Sequence, residues 1–172
     1  LEVRNSEKII LPGVGNFAEA SKRMFASGIA DVITDSALRQ NKPLLGICLG
    51  MQLLAQEGEE GGGAPGLGLI AGRVTKICLK DPSLRLPHIG WNDVSFNGMK
   101  LFSGIEEGAS FYFVHSFEMV PDETSIERAT TRYGSDIVAA VRKDHVLGVQ
   151  FHPEKSQKDG LRLLTNFVKG LY

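Results

Sequence analysis

Leu44-Leu45-Gly46-Ile47-Cys48-Leu49-Gly50-Met51-Gln52-Leu53-Leu54 runs from an apolar segment, through a cysteine boxed by two glycines, into a second apolar segment. Leu44, Leu45 and Ile47 read as a buried strand, and the residues after Gly50 as the start of a helix. A reactive side chain on a sharp strand-to-helix turn needs small neighbours, because backbone crowds there. The new helix also aims free N–H groups at the cysteine, which favours thiolate and lowers the pKa from roughly 8.5 towards about 3.5–7.5. Cys48 therefore reads as a nucleophile on an elbow. The competing reading is a buried cysteine acting as a small apolar residue, the commonest fate of a free thiol.

A second stretch, Gly148-Val149-Gln150-Phe151-His152-Pro153-Glu154, weighs on that choice. A thiol nucleophile needs a base, and the base needs a group to hold its ring. His152 and Glu154 sit two apart, so an extended segment projects both to one side. Pro153 favours that extension, since a residue before proline avoids the helical region.

Outward from these stretches the chain alternates. Lys8–Leu11 reads as a buried strand stopped by Pro12-Gly13-Val14-Gly15, and Asn16 with Glu19 forms a capping-box pattern ahead of Phe17, Ala20 and Met24. Gly28 ends that helix, and Ile29, Val32, Ile33 and Ala37 mark the next. Strand and helix in this rhythm imply a parallel sheet with helices packed on it. Glu57–Gly68 is rich in glycine and acid and reads as a surface loop; it lacks the lysine and Ser/Thr of a phosphate cradle. From Gly72 the texture turns to short strands: Arg73–Leu79, Asn92–Phe96, Ser110–Met119, Ile137–Arg142, Val146–Phe151, and more weakly Ser125–Arg132. Cys78 falls inside one of them as a structural residue. Ser156 is expected to cap a last helix whose apolar face is Leu161, Leu164, Val168 and Leu171. A parallel sheet seldom opens on Leu1-Glu2-Val3-Arg4-Asn5 and a buried strand, so a preceding strand–helix segment is expected to be missing.

The 172 residues, 42% hydrophobic and 23% charged, describe one globular domain spanning 1–172 with no internal repeat or linker. A net charge of −1 gives no nucleic-acid footprint and no polybasic membrane patch. No apolar run approaches the ~20 residues of a membrane span, and no signal-peptide pattern opens the chain. His88, His115, His145 and His152 are scattered without the close pairs of a metal site, so neither metal nor cofactor is implied. His145 reads as solvated at a hairpin tip, and His88 as a hydrogen-bonded histidine in a packed strand. Two cysteines without disulfide spacing fit a reducing cytoplasm.

With both Gly46-Ile47-Cys48-Leu49-Gly50-Met51-Gln52 and Gln150-Phe151-His152-Pro153-Glu154-Lys155-Ser156, the chain resembles the class I (triad) glutamine amidotransferases. It is similar above all to the glutaminase subunits of imidazole glycerol phosphate synthase. Pro12-Gly13-Val14-Gly15-Asn16-Phe17, Pro87-His88-Ile89-Gly90-Trp91-Asn92 and Tyr112-Phe113-Val114-His115-Ser116-Phe117 carry the narrower likeness. The resemblance implies an α/β fold: a flavodoxin-like sheet with flanking helices plus additional antiparallel strands. It implies hydrolysis of L-glutamine by Cys48, His152 and Glu154 through a thioester, with the oxyanion met at Leu49 and Val14. Gln52, His115, Ser116 and Phe117 match its glutamine pocket, Phe117 standing where many members carry tyrosine. Trp91, Tyr112 and Lys155 match positions facing a (β/α)8-barrel synthase that receives the ammonia in a heterodimer. Two other readings stand beside it: the same chemistry serving another synthase, such as one for surface sugars, and a non-catalytic regulatory subunit on the same fold.

Overall fold

A computed structural model describes residues 2–172. In chain order the elements are α1 (Glu2–Asn5), β1 (Ile9–Gly13), α2 (Phe17–Ala26), α3 (Ile29–Leu38), β2 (Leu44–Cys48), α4 (Leu49–Gln52), β3 (Glu57–Gly58) and β4 (Ala64–Pro65). Then come β5 (Gly72–Lys76), β6 (His88–Ser95), β7 (Ser110–His115), β8 (Phe117–Pro121), β9 (Glu127–Tyr133), β10 (Ser135–Lys143), β11 (Val146–Val149) and α5 (Gln157–Lys169). Seven strands form one sheet in the order β1-β2-β11-β10-β9-β6-β7, and β4-β3-β5-β8 form a smaller one.

The parallel core of the large sheet is β1-β2-β11, with Gly13 beside Cys48 and Ile47 beside Val149 in register. From β11 onward the pairing is antiparallel. Every residue of β2 is buried, as expected of a strand covered on both faces. Its side chains alternate between two cores. Leu44 joins Phe17, Ile33 and Leu54 on the α2–α3 side, while Leu45 and Ile47 join Phe111, Phe151, Leu163 and Phe167 on the α5 side. The α/β architecture with extra antiparallel strands is the one expected.

Several local readings need correction. Ser110–Met119 is two strands, broken at Ser116, because the chain leaves the large sheet after His115 and joins the small one at Phe117. The weakly marked 125–132 region is a full strand, β9, held by β10 on one edge and β6 on the other. Cys78 lies beyond the end of β5 and is exposed. His145 is not simply solvated: its Nε2 meets the Ala37 carbonyl at 2.7 Å and ties the β10–β11 turn to α3.

The last helix is rotated from its expected face. It buries Gly160, Leu163, Asn166 and Phe167, leaving Leu161 and Val168 about 60% exposed (62% and 61%). Two contacts outside the apolar pattern set that rotation. Gly160 lies so close to the 3-10 turn before the helix that an added Cβ would be 1.9 Å from the Pro153 carbonyl oxygen. Asn166 Nδ2 donates to the carbonyls of Leu101 and Ser103 at 2.9 and 2.8 Å.

Candidate active site

The carboxyl ends of β1, β2 and β11 lie side by side, where open α/β sheets place their ligands. Cys48 ends β2 with φ 54° and ψ −113°, a conformation few side-chain-bearing residues adopt. The glycines around it are dictated by space. A Cβ on Gly50 would sit 1.8 Å from the Leu11 carbonyl oxygen, and one on Gly46 2.6 Å from that of Gly50. The helix that follows, α4, is a single turn, shorter than the apolar pattern implies.

That shortness bears on the thiol. The expected depression of the Cys48 pKa is not found; burial pushes it up to about 11, outweighing the lowering contributions of the Leu49 N–H, Lys155 and Gln150. One helical turn sums few peptide dipoles, whereas a buried thiolate loses most of its hydration. Cys48 therefore rests as a neutral thiol.

On the neighbouring strand, β11 runs out at Val149, and the Gln150 N–H donates to Ala139 O and the His152 N–H to Tyr112 O, both at 2.8 Å. His152 itself is extended, but Pro153–Lys155 folds into a 3-10 turn instead of continuing straight. The turn brings Glu154 back, and its carboxylate accepts from His152 Nδ1 at 2.7 Å. The proton thus sits on Nδ1, and Nε2 is left buried with no hydrogen-bond partner among the described residues. Ser156 does not cap α5 with its side chain. Its hydroxyl donates to the His152 carbonyl (2.6 Å) and accepts from the Tyr112 N–H (3.0 Å), stitching the histidine's backbone to β7.

Cys48 and His152 share a cavity of about 160 Å³ with Val14, Gly15, Leu49, Gln52, Glu60, Val114, His115, Ser116 and Phe117. Every residue expected of the glutamine pocket and the oxyanion position lines it. Imidazole and carboxylate touch; the Cys48 sulfur instead accepts from Gln150 Nε2 at 3.8 Å. His115 is not a free ligand group, since its ring bonds His88 Nδ1 and the Phe117 carbonyl, each at 2.9 Å. Burial lowers the pKa of both histidines to about 4, so both are neutral.

Two lining or flanking residues escaped the sequence reading. Glu60 lies in the glycine-rich segment read as surface loop, yet its carboxylate accepts from the Phe17 N–H at 2.7 Å at the start of α2 and faces the cavity. The signal was the run Gly61-Gly62-Gly63, whose positive φ values let the loop fold inward. Gln150 stands inside the histidine stretch but carries no pattern of its own.

Trp91 and Tyr112 are paired across β6 and β7, ring centroids 6.1 Å apart, with Lys155 Nζ 5.7 Å from the Tyr112 ring. Trp91, its strand neighbour Ile89 and the cavity-lining Val14 are all exposed.

A thiol and an oriented imidazole in one cavity at the ends of adjacent parallel strands define a class. The chain belongs to the class-I glutamine amidotransferase family, whose model matches residues 2–171. Within it the chain falls in the HisH group. It is 46% identical over 168 residues to imidazole glycerol phosphate synthase subunit HisH of Pyrococcus furiosus, covering 96% of this chain and 83% of that protein. It is 43% identical over 169 residues to the protein of the same name from Pelagibacter ubique, covering 97% and 81%. The fold matches a crystal structure of a glutamine amidotransferase with a TM-score of 0.71 at 23% identity, over 95% of this chain and 78% of that one. A glutamine amidotransferase from Thermotoga maritima matches at 0.62 and 20% identity, over 95% and 62%.

Proposed function

We propose that this chain is the glutaminase subunit of an imidazole glycerol phosphate synthase. The observation that carries the chemistry is His152: its Nδ1 is fixed on Glu154 and its bare Nε2 shares a cavity with the Cys48 sulfur. Nε2 takes the thiol proton as sulfur attacks the side-chain amide carbon of glutamine. The oxyanion that forms is met by the Leu49 N–H and by a peptide N–H at Val14, where the flanking Gly13 and Gly15 ease reorientation. His152 then passes its proton to the departing ammonia as the C–N bond breaks. A water, deprotonated by the same Nε2, opens the thioester to glutamate and returns the thiol.

The rest of the cavity suits the substrate. Glu60 offers a carboxylate to the α-ammonium, and Gln52, Ser116 and Phe117 line the same cavity. The exposed Trp91 and Lys155, with the half-buried Tyr112 between them, form the docking surface for a (β/α)8-barrel synthase, which takes up ammonia before water does. Burial that raises the Cys48 thiol to about 11 works against the free thiolate in the unpartnered chain, and docking is the event proposed to accelerate it.

Ammonia release from glutamine tests this, with the chain alone and mixed with a purified barrel synthase and its acceptor. The parent accelerates on mixing, and Cys48→Ala drops turnover by about 10⁴-fold or more while keeping its circular dichroism. Parental turnover in Cys48→Ala would sink the assignment.

A further inference from the structure

A file of hydrogen bonds runs from β6 to the sulfur, and one carbonyl fixes the direction of every donor in it. Phe117 O can only accept. It receives His115 Nδ1 at 2.9 Å and Gln52 Nε2 at 3.0 Å. The neutral His115 therefore has a bare Nε2, which accepts from His88 Nδ1 at 2.9 Å. His88 Nε2 in turn accepts from Asn92 Nδ2 at 3.2 Å, and that amide also donates to Arg132 O at 2.9 Å. In the other direction, Gln52 Nε2 gives its second proton to Gln150 Oε1 at 3.0 Å. The oxygen of Gln150 is thereby committed, so its NH₂ has to face away from Gln52, where Cys48 Sγ lies at 3.8 Å. Gln150 is fully buried, and no step of the glutaminase chemistry above uses it.

We propose that Gln150 positions the nucleophile: its amide N–H holds the Cys48 sulfur and stabilises the thiolate as the proton leaves for His152, while Gln52 and the Phe117 carbonyl hold the amide in that sense. The inference rests on the glutaminase reading, because only a sulfur that must become an anion needs such a donor. A hydrogen bond to a charged acceptor is worth roughly twice one to a neutral acceptor, so this contact strengthens as the thiol ionises. Burial works against the anion, and Gln150 is among the few groups here that favour it. The other charged or titratable groups around the sulfur are Glu154, which opposes ionisation, Lys155, which aids it, and His152, His115 and Glu60 on the cavity wall. A Gln150 that merely fills the core would leave the thiol's titration unchanged on replacement.

The test reads the thiol directly. In the full chain carrying Cys78→Ser, which removes the exposed second thiol, the rate of Cys48 alkylation by iodoacetamide is followed against pH by mass spectrometry. Gln150→Leu is expected to move the profile up by about one pH unit, slowing alkylation about tenfold at any pH below the midpoint. A folded Gln150→Leu with the parental profile overturns the proposal. Should that variant not fold, the unmutated chain decides. The Gln150 side-chain carbonyl carbon is expected to shift with the same midpoint as alkylation, and a resonance that stays flat overturns the proposal. The two failures separate: ammonia release by Cys48→Ala would remove the glutaminase reading, an unshifted profile the role of Gln150.

Discussion

Cys48 holds a backbone conformation that costs about 1–3 kcal/mol in an ordinary residue, and the elbow persists because Gly46 and Gly50 let β1 and α4 close around it. The buried pair His88–His115 makes stability depend on pH. Their pKa values fall from 6.5 to about 4 on folding, His88 stacked between Phe113 and Tyr133, His115 against the cavity. Between those values the unfolded chain binds more protons than the folded one. Stability is therefore fully present above pH 6.5 and falls as pH drops through the window. Urea midpoints measured from pH 6.5 to about 5, above the carboxylate range, should decline steadily, and His88→Phe should flatten the decline by removing one of the two groups. An unchanged slope in that variant would place the titration elsewhere. At this scale Cys48, His152 and Glu154 were legible because each sits in a short pattern with its neighbours. Glu60 and Gln150 were not, since their meaning lies in contacts 43 and 102 residues away along the chain, to Phe17 and Cys48.

In the first half, β2, α2 and α3 lie where their apolar spacing puts them, because Leu44, Phe17, Ile33 and Ala37 are buried together in one core. The final helix departs from its spacing, and the reason is a rule of contact. Leu161, Leu164, Val168 and Leu171 make a plausible stripe, but Gly160 must meet Pro153 and Asn166 must meet two carbonyls, and these turn Leu163 and Phe167 inward. Gly160→Ala therefore acts against helix propensity. Its Cβ has no room beside Pro153 O, and the helix must back away from the turn that carries His152 and Glu154. Thermal unfolding should show a loss of about 1–3 kcal/mol, as for other overpacked sites, accompanied by reduced ammonia release. Leu161→Ala, on the exposed side, should stay within about 0.5 kcal/mol of the parent. Equal effects from the two variants would return the helix to the face its sequence suggests. The break at Ser116 escaped notice for a related reason. Ser110–Met119 is continuously strand-like, and only the second sheet, formed with β5 far upstream, makes it turn.

Across the whole molecule, the cavity and the β6–β7 hairpin are joined by shared residues. Val114 and His115 line the cavity, while Ile89 and Trp91 on the paired strand face solvent. A partner seated on Trp91 and Tyr112 would touch the strands whose His115 ring holds the Phe117 carbonyl at the cavity. Trp91 is half exposed at 48% and edge-on to Tyr112, whose ring also carries Lys155 Nζ, the geometry of an aromatic anchor awaiting a pocket. Trp91→Ala should leave the isolated chain's unfolding midpoint and unstimulated ammonia release near the parent's, since the side chain contributes little to either core. Affinity for the barrel synthase, by titration calorimetry, should weaken by about 30-fold, the equivalent of a ~2 kcal/mol hot spot. Stimulated turnover should recover when the synthase is supplied in excess, because the anchor sets occupancy and the strand pairing behind it is intact. An affinity unchanged by Trp91→Ala would move the docking surface off this hairpin, and the apolar rim at Val14 would be the next place to probe.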